Sequence, residues 1–330
     1  MGNLLEYEHG SMLLYYQIEG SGKNKYISID GTNSYCDSLT FPKEIDGIPV
    51  TTIGVQAFHS SEFKKVTFHE NIKFIDNYAF YNSTIEEISF SEGLEEIGDY
   101  AFSETSLFNI ALPDSLKIIG NSAFSSSGLS TITFGKNIES IGEEAFSFCN
   151  FVKFSIPDSV KEVREDIIFS NLKLESLYIG QHAKILDDIA YCCPKLKTIM
   201  AHPKSIHHKV VDDVLYSRDM KTLVKYPSAK KDTAFRIPKA VKELRWGSFG
   251  FCKNLTDLHT SANAIDGFDK IDTSINDFQT LTVHCRPNTE IAKHCSENNI
   301  PMLPFAGSEI NEFVKSIIDK SHERGVNDEK

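Results

Sequence analysis

Ile97-Gly-Asp-Tyr-Ala-Phe102, Ile119-Gly-Asn-Ser-Ala-Phe124 and Ile141-Gly-Glu-Glu-Ala-Phe146 follow one another at an interval of 22 residues. The same interval, carried outward in both directions, recovers Ile53, Ile75, Val163 and Ile185. A period of this length marks small units that cannot each bury an apolar face alone, so the chain is expected to stack as a solenoid. Five positions after each leading aliphatic comes a second column: Phe58, Phe80, Phe102, Phe124, Phe146, Ile168 and Ala190. Ala57, Ala79, Ala101, Ala123 and Ala145 precede its phenylalanines and suggest a short helical turn, with a small residue where neighbouring coils approach. Gly54, Gly98, Gly120 and Gly142 directly follow the leading aliphatic, where the expected role is a turn with positive φ. Asp76 is among the next most tolerant residues at that place, whereas Arg164 and Leu186 predict two coils that turn differently.

Each unit carries a further apolar pattern, L-x-x-I-x-F, as in Phe63/Val66/Phe68, Leu107/Ile110/Leu112, Phe151/Phe154/Ile156 and Leu196/Ile199/Ala201. Its last two apolar residues alternate with an outward one, the period of a strand with one buried face. Stacked coils would join these strands into a parallel sheet. Pro113, Pro157 and Pro238 end three of them, because proline brings no donor to a sheet ladder. An aliphatic three residues before each repeat start, such as Val50, Ile72, Leu94 or Val241, returns the chain to the core. Between about Val210 and Pro227 the pattern is interrupted by two strands around a polar turn at 217–221, read as a hairpin insertion, and it resumes at Leu244.

With these residues in view, the chain resembles the BspA-type leucine-rich repeat proteins. The resemblance rests on the recurring I-G-x-x-A-F, on Ile156-Pro-Asp-Ser-Val160, and on the insertion from Asp213-Val-Leu-Tyr to Lys225-Tyr-Pro227. The opening segment Phe41-Pro-Lys-Glu-Ile-Asp-Gly-Ile-Pro-Val50 and the closing segments Leu281-Thr-Val-His-Cys-Arg-Pro-Asn-Thr289 and Asn299-Ile-Pro301 are similar to that family's first and last coils. The resemblance covers residues 26–305. It implies a right-handed leucine-rich-repeat solenoid that binds other molecules without catalysis, often at microbial cell surfaces, and it brings no catalytic motif. The expected fold class is therefore a repeat solenoid, β-rich α/β, with a parallel β-sheet, short helical turns and a C-terminal capping helix. The expected organisation is 1–50 as N-terminal capping strands and first coil, 51–305 as the solenoid with its insertion near 210–227, and 306–330 as an amphipathic helix and polar tail.

A repeat array grows in one dimension, so 330 residues need not mean two domains. The formal net charge of −12, without a cluster of Lys and Arg among aromatics, argues against nucleic acid and against an anionic membrane surface. No apolar run approaches the roughly 18 residues of a membrane span, so membrane insertion is not expected. Glu86, Glu87, Glu95, Glu96, Glu143 and Glu144 read as a solvated surface. The first residues, Met1-Gly-Asn-Leu-Leu-Glu-Tyr-Glu8, show no signal-peptide pattern. As written the chain reads as cytoplasmic; a mature or trimmed form of an exported protein is the alternative. Its oligomeric state is expected to be monomeric, with dimerisation through the C-terminal helix as the second reading.

Seven cysteines are an odd number without framework spacing. Cys149, Cys193 and Cys252 stand eight residues after the leading aliphatic and suggest a buried column of small apolar groups, free as thiols. Cys285 and Cys295 are left open to pairing. Gln17-Ile-Glu-Gly-Ser-Gly-Lys-Asn24 fails as a phosphate loop at both ends. Cys192, Cys193, His202, His207 and His208 match no zinc spacing. His284-Cys285 and His294-Cys295 do not make a nucleophile and its base, since adjacent strand residues point to opposite faces. No cofactor and no metal are assigned, and the chain is not expected to be an enzyme.

The outward residue between the last two apolar positions of each lateral strand reads Thr67, Ser89, Ala111, Thr133, Ser155, Tyr178, Met200 and His259. The next outward column reads Lys65, Glu87, Asn109, Thr131, Lys153, Ser176, Thr198 and Asp257. Neither holds the paired carboxylates of glycoside chemistry. The small groups of the early coils give way to Tyr178, Met200 and His259, side chains enriched in contact sites. Thr131, Thr133, Ser155, Tyr178, Met200 and His259 are therefore the candidate ligand-binding residues, for a protein or glycan partner. The competing reading packs the larger ones under the hairpin. A polysaccharide-active solenoid enzyme and a structural spacer of a surface protein are the other functions weighed. After the solenoid, Ile310, Phe313, Val314, Ile317 and Ile318 share one helical face between Ser308 and Gly325, a helix expected to shield the last coil.

Overall fold

The computed structural model describes residues 4–164, 166–186, 189–270 and 281–304. The helix expected at Ser308–Gly325 lies outside the described residues. An antiparallel cap opens the chain, with Leu5–His9 pairing Met12–Glu19 and Met12–Glu19 pairing Tyr26–Thr32. Tyr26–Thr32 then pairs in parallel with Ile48–Ile53, and the repeat takes over. Ile53, Ile75, Ile97, Ile119, Ile141, Val163 and Ile185 stand in register, each hydrogen-bonded strand beside the next. The 22-residue period is thus the circumference of one coil. A second, lateral wall forms from Ser38–Thr40, Lys65–Thr67 and Glu87–Ser89, then Asn109–Ala111 with Thr131–Thr133, then Lys153–Ser155, Ser176–Ile179 and Thr198–Ala201.

Between the two walls the phenylalanines stack. Phe58, Phe80, Phe102, Phe124 and Phe146 have ring centroids 5.2, 5.2, 5.4 and 5.5 Å apart and planes within 12° of parallel. Phe41, Phe68 and Phe90 make a second, shorter stack. Offset stacking of this kind adds to the burial of each ring, and Phe80, Phe102, Phe124 and Phe146 are fully buried.

The corner between the walls differs from its expected form. It is not helical: hydrogen-bonded turns run through it, as from Ala79 N–H to Asp76 O and from Tyr81 N–H to Tyr78 O. Positive φ falls three residues after the leading aliphatic, at Gln56, Tyr78, Tyr100, Ser122 and Glu144, and again at Ser60, Asn82, Glu104, Ser126 and Phe148. None of Gly54, Gly98, Gly120 and Gly142 has positive φ. Their glycine identity comes from the coil before. Asn77 Oδ1 accepts from Asp99 N–H at 2.7 Å, Asp99 Oδ1 from Asn121 N–H at 2.7 Å, and Asn121 Oδ1 from Glu143 N–H at 2.9 Å. A Cβ on Gly98 would sit 2.6 Å from Asn77 Oδ1, and one on Gly142 would sit 2.5 Å from Asn121 N. Where the preceding coil carries Glu143 in place of Asn or Asp, Arg164 replaces the glycine and its guanidinium lies 3.9 Å from the Glu143 carboxylate.

The cysteine column is likewise polar in character. Ser83, Thr105 and Ser127 occupy it in the earlier coils and donate to the carbonyls of Phe80, Phe102 and Phe124. Cys149, Asn171 and Cys193 continue it by donating to Phe124, Phe146 and Ile168 carbonyls. Small donors that close the corner explain the column better than small apolar groups do. All seven cysteines are free, including Cys285 and Cys295. Burial pushes the Cys149 and Cys252 thiols up to about 12, which leaves them unreactive at neutral pH.

The insertion is more than an interruption. His208–Val211, Val214–Ser217 and Thr222–Lys225 form an antiparallel meander, turning at Asp212 and Asp213, both with positive φ. Its last strand pairs in parallel with Glu243–Leu244, Leu223 opposite Leu244. Tyr226, fully buried, lies 5.5 Å from Phe249. Leu223 and Tyr226 therefore serve as leading aliphatic and core aromatic of a coil whose corner is shortened. Leu215 and Val224 face the first core; Val214, Tyr216, Leu223 and Tyr226 open a second one that runs to Cys295. That second core is closed by the lateral strands Ala234–Arg236, Asp257–His259, Thr282–Cys285 and Met302–Pro304 and by a helix at Glu290–Glu297. The Thr289 side chain caps this helix by accepting from Ala292 N–H, and Ile291, Ala292 and Cys295 turn inward.

Candidate functional site

The lateral wall distributes the candidate residues over three ladders. Thr131 and Thr133 are exposed, opposite Asn109 and Ala111, and the Thr131 hydroxyl donates to the Asn109 side-chain oxygen. Ser155, Tyr178 and Met200 are successive partners in the next ladder. Met200 is 49% exposed, so it does not pack under the hairpin. Tyr178 is half-buried; burial, with Asp158 nearby, raises its phenol above the ordinary range. His259 stands apart, beyond the inserted coil, with Arg236 opposite it on one side and His284 on the other. The structure thus joins Ser155, Tyr178 and Met200 into one row and places His259 in another.

A second apolar feature escaped the column reading. Phe148, Phe169, Tyr191, Trp246 and Phe251 form a connected strip along the corners of the later coils. Phe148 lies 5.3 Å from Phe169, Phe169 stacks on Tyr191 at 5.9 Å, and Tyr191 lies 4.5 Å from Trp246 and 5.6 Å from Phe251. Phe148 and Trp246 remain 49% and 46% exposed at the two ends. Beneath the strip the Lys225 ammonium, fully buried, donates to Gly247 O and sits 5.8 Å from the centre of the Tyr191 ring, within reach of a cation–π attraction. Phe169 and Tyr191 share one repeat position, Phe148 and Phe251 a second, and Trp246 stands at a third, so no single column contains the strip; the column of Phe169 and Tyr191 carries His59 and Tyr81 in early coils and Ser103, Ser125 and Ser147 between.

Among the described acids, Asp99, Glu143, Glu144 and Asp166 line a shallow corner groove. Asp99 holds the Asn121 amide and Glu143 faces Arg164, so both carboxylates serve coil-to-coil contacts. The Lys and Glu pairs on the walls, such as Lys65 with Glu87 and Lys161 with Glu139, are exposed rungs between neighbouring coils, each worth about 0–1 kcal/mol.

The family model for the BspA type leucine rich repeat region matches residues 51–168 and 117–230, in six copies. The chain belongs to the BspA-type leucine-rich repeat family. Solved structures similar to this BspA-type chain include the pneumococcal vaccine antigen PcpA, at 24% identity and a TM-score of 0.59, over 84% of this chain and 69% of that one. A leucine-rich repeat protein from Bacteroides ovatus matches at 21% identity and a TM-score of 0.60, over 82% and 69%. A leucine-rich cell surface protein from Faecalibacterium prausnitzii matches at 20% identity and a TM-score of 0.55, over 80% and 72%. At these identities the likeness establishes the fold. A search of the curated proteins finds no match. Among the described residues, no helix is long and apolar enough to cross a membrane.

Proposed function

We propose that this BspA-type chain is a non-catalytic interaction scaffold of a bacterial cell surface, holding a protein or glycan partner along the strip from Phe148 to Trp246. The observation that carries the reading is the strip itself: connected rings across several coils, exposed at both ends and supported from below by a rigid core. Aromatic rings on a fixed scaffold lose little conformational freedom on binding, and they dominate contact energetics. The row Ser155, Tyr178 and Met200 extends the contact onto the lateral wall. A surface location is supported by two structural neighbours, a vaccine antigen and a cell surface protein.

A glycan array run beside a proteomic pull-down identifies the partner, and variants then locate it. Trp246→Ala and Phe148→Ala are expected to weaken the identified partner by about tenfold or more, with the circular dichroism spectrum unchanged. If affinity falls only with Tyr178→Ala, contact is made on the lateral wall instead. Unchanged affinity in all three variants removes the proposal, and degradation of a captured glycan would turn the reading toward an enzyme.

A further inference from the structure

Asp257, His259 and His284 bring one carboxylate and two imidazoles together on the last lateral sheet. Asp257 and His259 are two apart on one strand and so share its outward face; His284 is the register partner of His259 on the next strand. The three candidate donor atoms lie within 4.8 Å of one another. His284 Nε2 donates to Asp257 Oδ1 at 2.8 Å, the rings of His259 and His284 stack at 4.1 Å, and Thr256 Oγ1 holds Asp257 Oδ2 at 2.8 Å. Burial works to raise the Asp257 carboxyl, but the hydrogen bonds from His284 and Thr256 outweigh it and hold the group below its ordinary range, as the anion.

We propose that Asp257, His259 and His284 form a Zn²⁺ site. Two imidazoles and a carboxylate are a borderline donor set that suits Zn²⁺ and disfavours the hard ions Mg²⁺ and Ca²⁺. Zinc bonds of about 2.0–2.1 Å in a tetrahedron need donors about 3.3 Å apart. The His284–Asp257 pair meets this when the metal replaces the shared proton and the two atoms part slightly. His259 meets it by turning its ring out of the stack. His284 is buried and Asp257 anchored, so two of the three ligands are already oriented. Cys285 is buried against the second core, so no thiol joins the set. The partly exposed face leaves a coordination position for water. Arg236 beside His259 and the lack of a hydrogen-bond partner on His284 Nδ1 both work to lower the affinity.

Titration of the whole chain with Zn²⁺ by calorimetry is expected to show one saturable site, with a thermal midpoint that rises with metal concentration. Co²⁺ in its place should give a visible spectrum without thiolate charge transfer. His259→Gln and Asp257→Asn should each weaken Zn²⁺ by about tenfold or more, and His207→Gln should leave it unchanged. His259→Gln alters a partly exposed side chain, so the test stands even if His284→Gln fails to fold. Absence of a saturable site in the native chain overturns the proposal, as does full retention of affinity in His259→Gln or a cobalt spectrum dominated by sulfur.

Discussion

The coils from Ile53 to Ile185 and the region from His208 to Pro304 solve one packing problem in two ways. In the first, like residues meet like: Phe80 on Phe102 on Phe124, and the Asn or Asp ladder Asn77 to Asp99 to Asn121, each a coil apart. In the second, the core aromatics Tyr226, Phe235 and Phe249 meet at tilts of 31° to 64°, with spacing that differs from coil to coil. Strict repetition makes self-complementary ladders, which hold coils together and reach the surface, where Tyr78 stacks on Tyr100 one coil away. Relaxed repetition gives up the ladders. The exposed aromatic strip crosses from one region to the other, from Phe148 in the coil of Ile141 to Trp246 and Phe251, and the Asp257, His259 and His284 cluster lies wholly in the second.

The sharpest way to break this contrast is Phe102→Ala. It removes the middle of the stacked column in a place where the neighbours cannot collapse, and the expected cost is about 3–5 kcal/mol, read by chemical denaturation. A cost under about 1 kcal/mol would show that the ladder does not bind the coils together.

The joint between the regions gives the next effect. His208 Nε2 accepts the Ile185 N–H at 3.0 Å, bridging the last strand of the long sheet to the meander. Burial, with His207 and Arg245 nearby, depresses His208 from 6.5 to about 4. The unfolded chain therefore binds a proton that the folded chain refuses between those values. The stabilisation from the neutral ring is complete above pH 6.5, declines as pH falls through that window, and is gone below about 4. The loss attributable to this residue is about 3 kcal/mol at most. Hydrogen exchange across this pH range should show the region after His208 opening before the Ile53–Ile185 coils. His208→Gln, which keeps an acceptor but cannot titrate, should flatten the difference; persistence of the same pH dependence in that variant would assign it elsewhere.

The smallest effects sharpen the contrast inside the regular coils. Gly142→Ala forces a methyl against the Asn121 amide and is expected to cost about 1–3 kcal/mol. Ser126→Gly, at an exposed residue with φ of 55°, should gain about 0.5–1 kcal/mol. Thermal melts of the two variants should move in opposite directions. Equal shifts would mean that the first glycine serves the turn after all.

Much of the fold was legible because a stacked repeat writes its contacts into one dimension: residues that share a phase share a wall. Ile97 and Phe102 could be placed in the core, and Thr133 and Ser155 on the outside, without coordinates. The corner was misread for a physical reason. Glycine reports only that a side chain does not fit, and sequence cannot say whether its own backbone or the previous coil's Asn excludes it. The shortened coil at Leu223 and Tyr226 was hidden because its two core residues are three apart, where the repeat has five.

The sequence by itself determined the solenoid, the buried columns, the outward faces and the family, since these follow from periodic burial of apolar groups. Tertiary structure alone decided which residues from different phases meet: Phe148, Phe169, Tyr191 and Trp246 on one strip, His208 against Ile185, and His284 beside Asp257 and His259. The reason is that strand register across an irregular connection is fixed by packing of the whole core, and between His259 and Thr282 no repeat remains to carry that register along the chain.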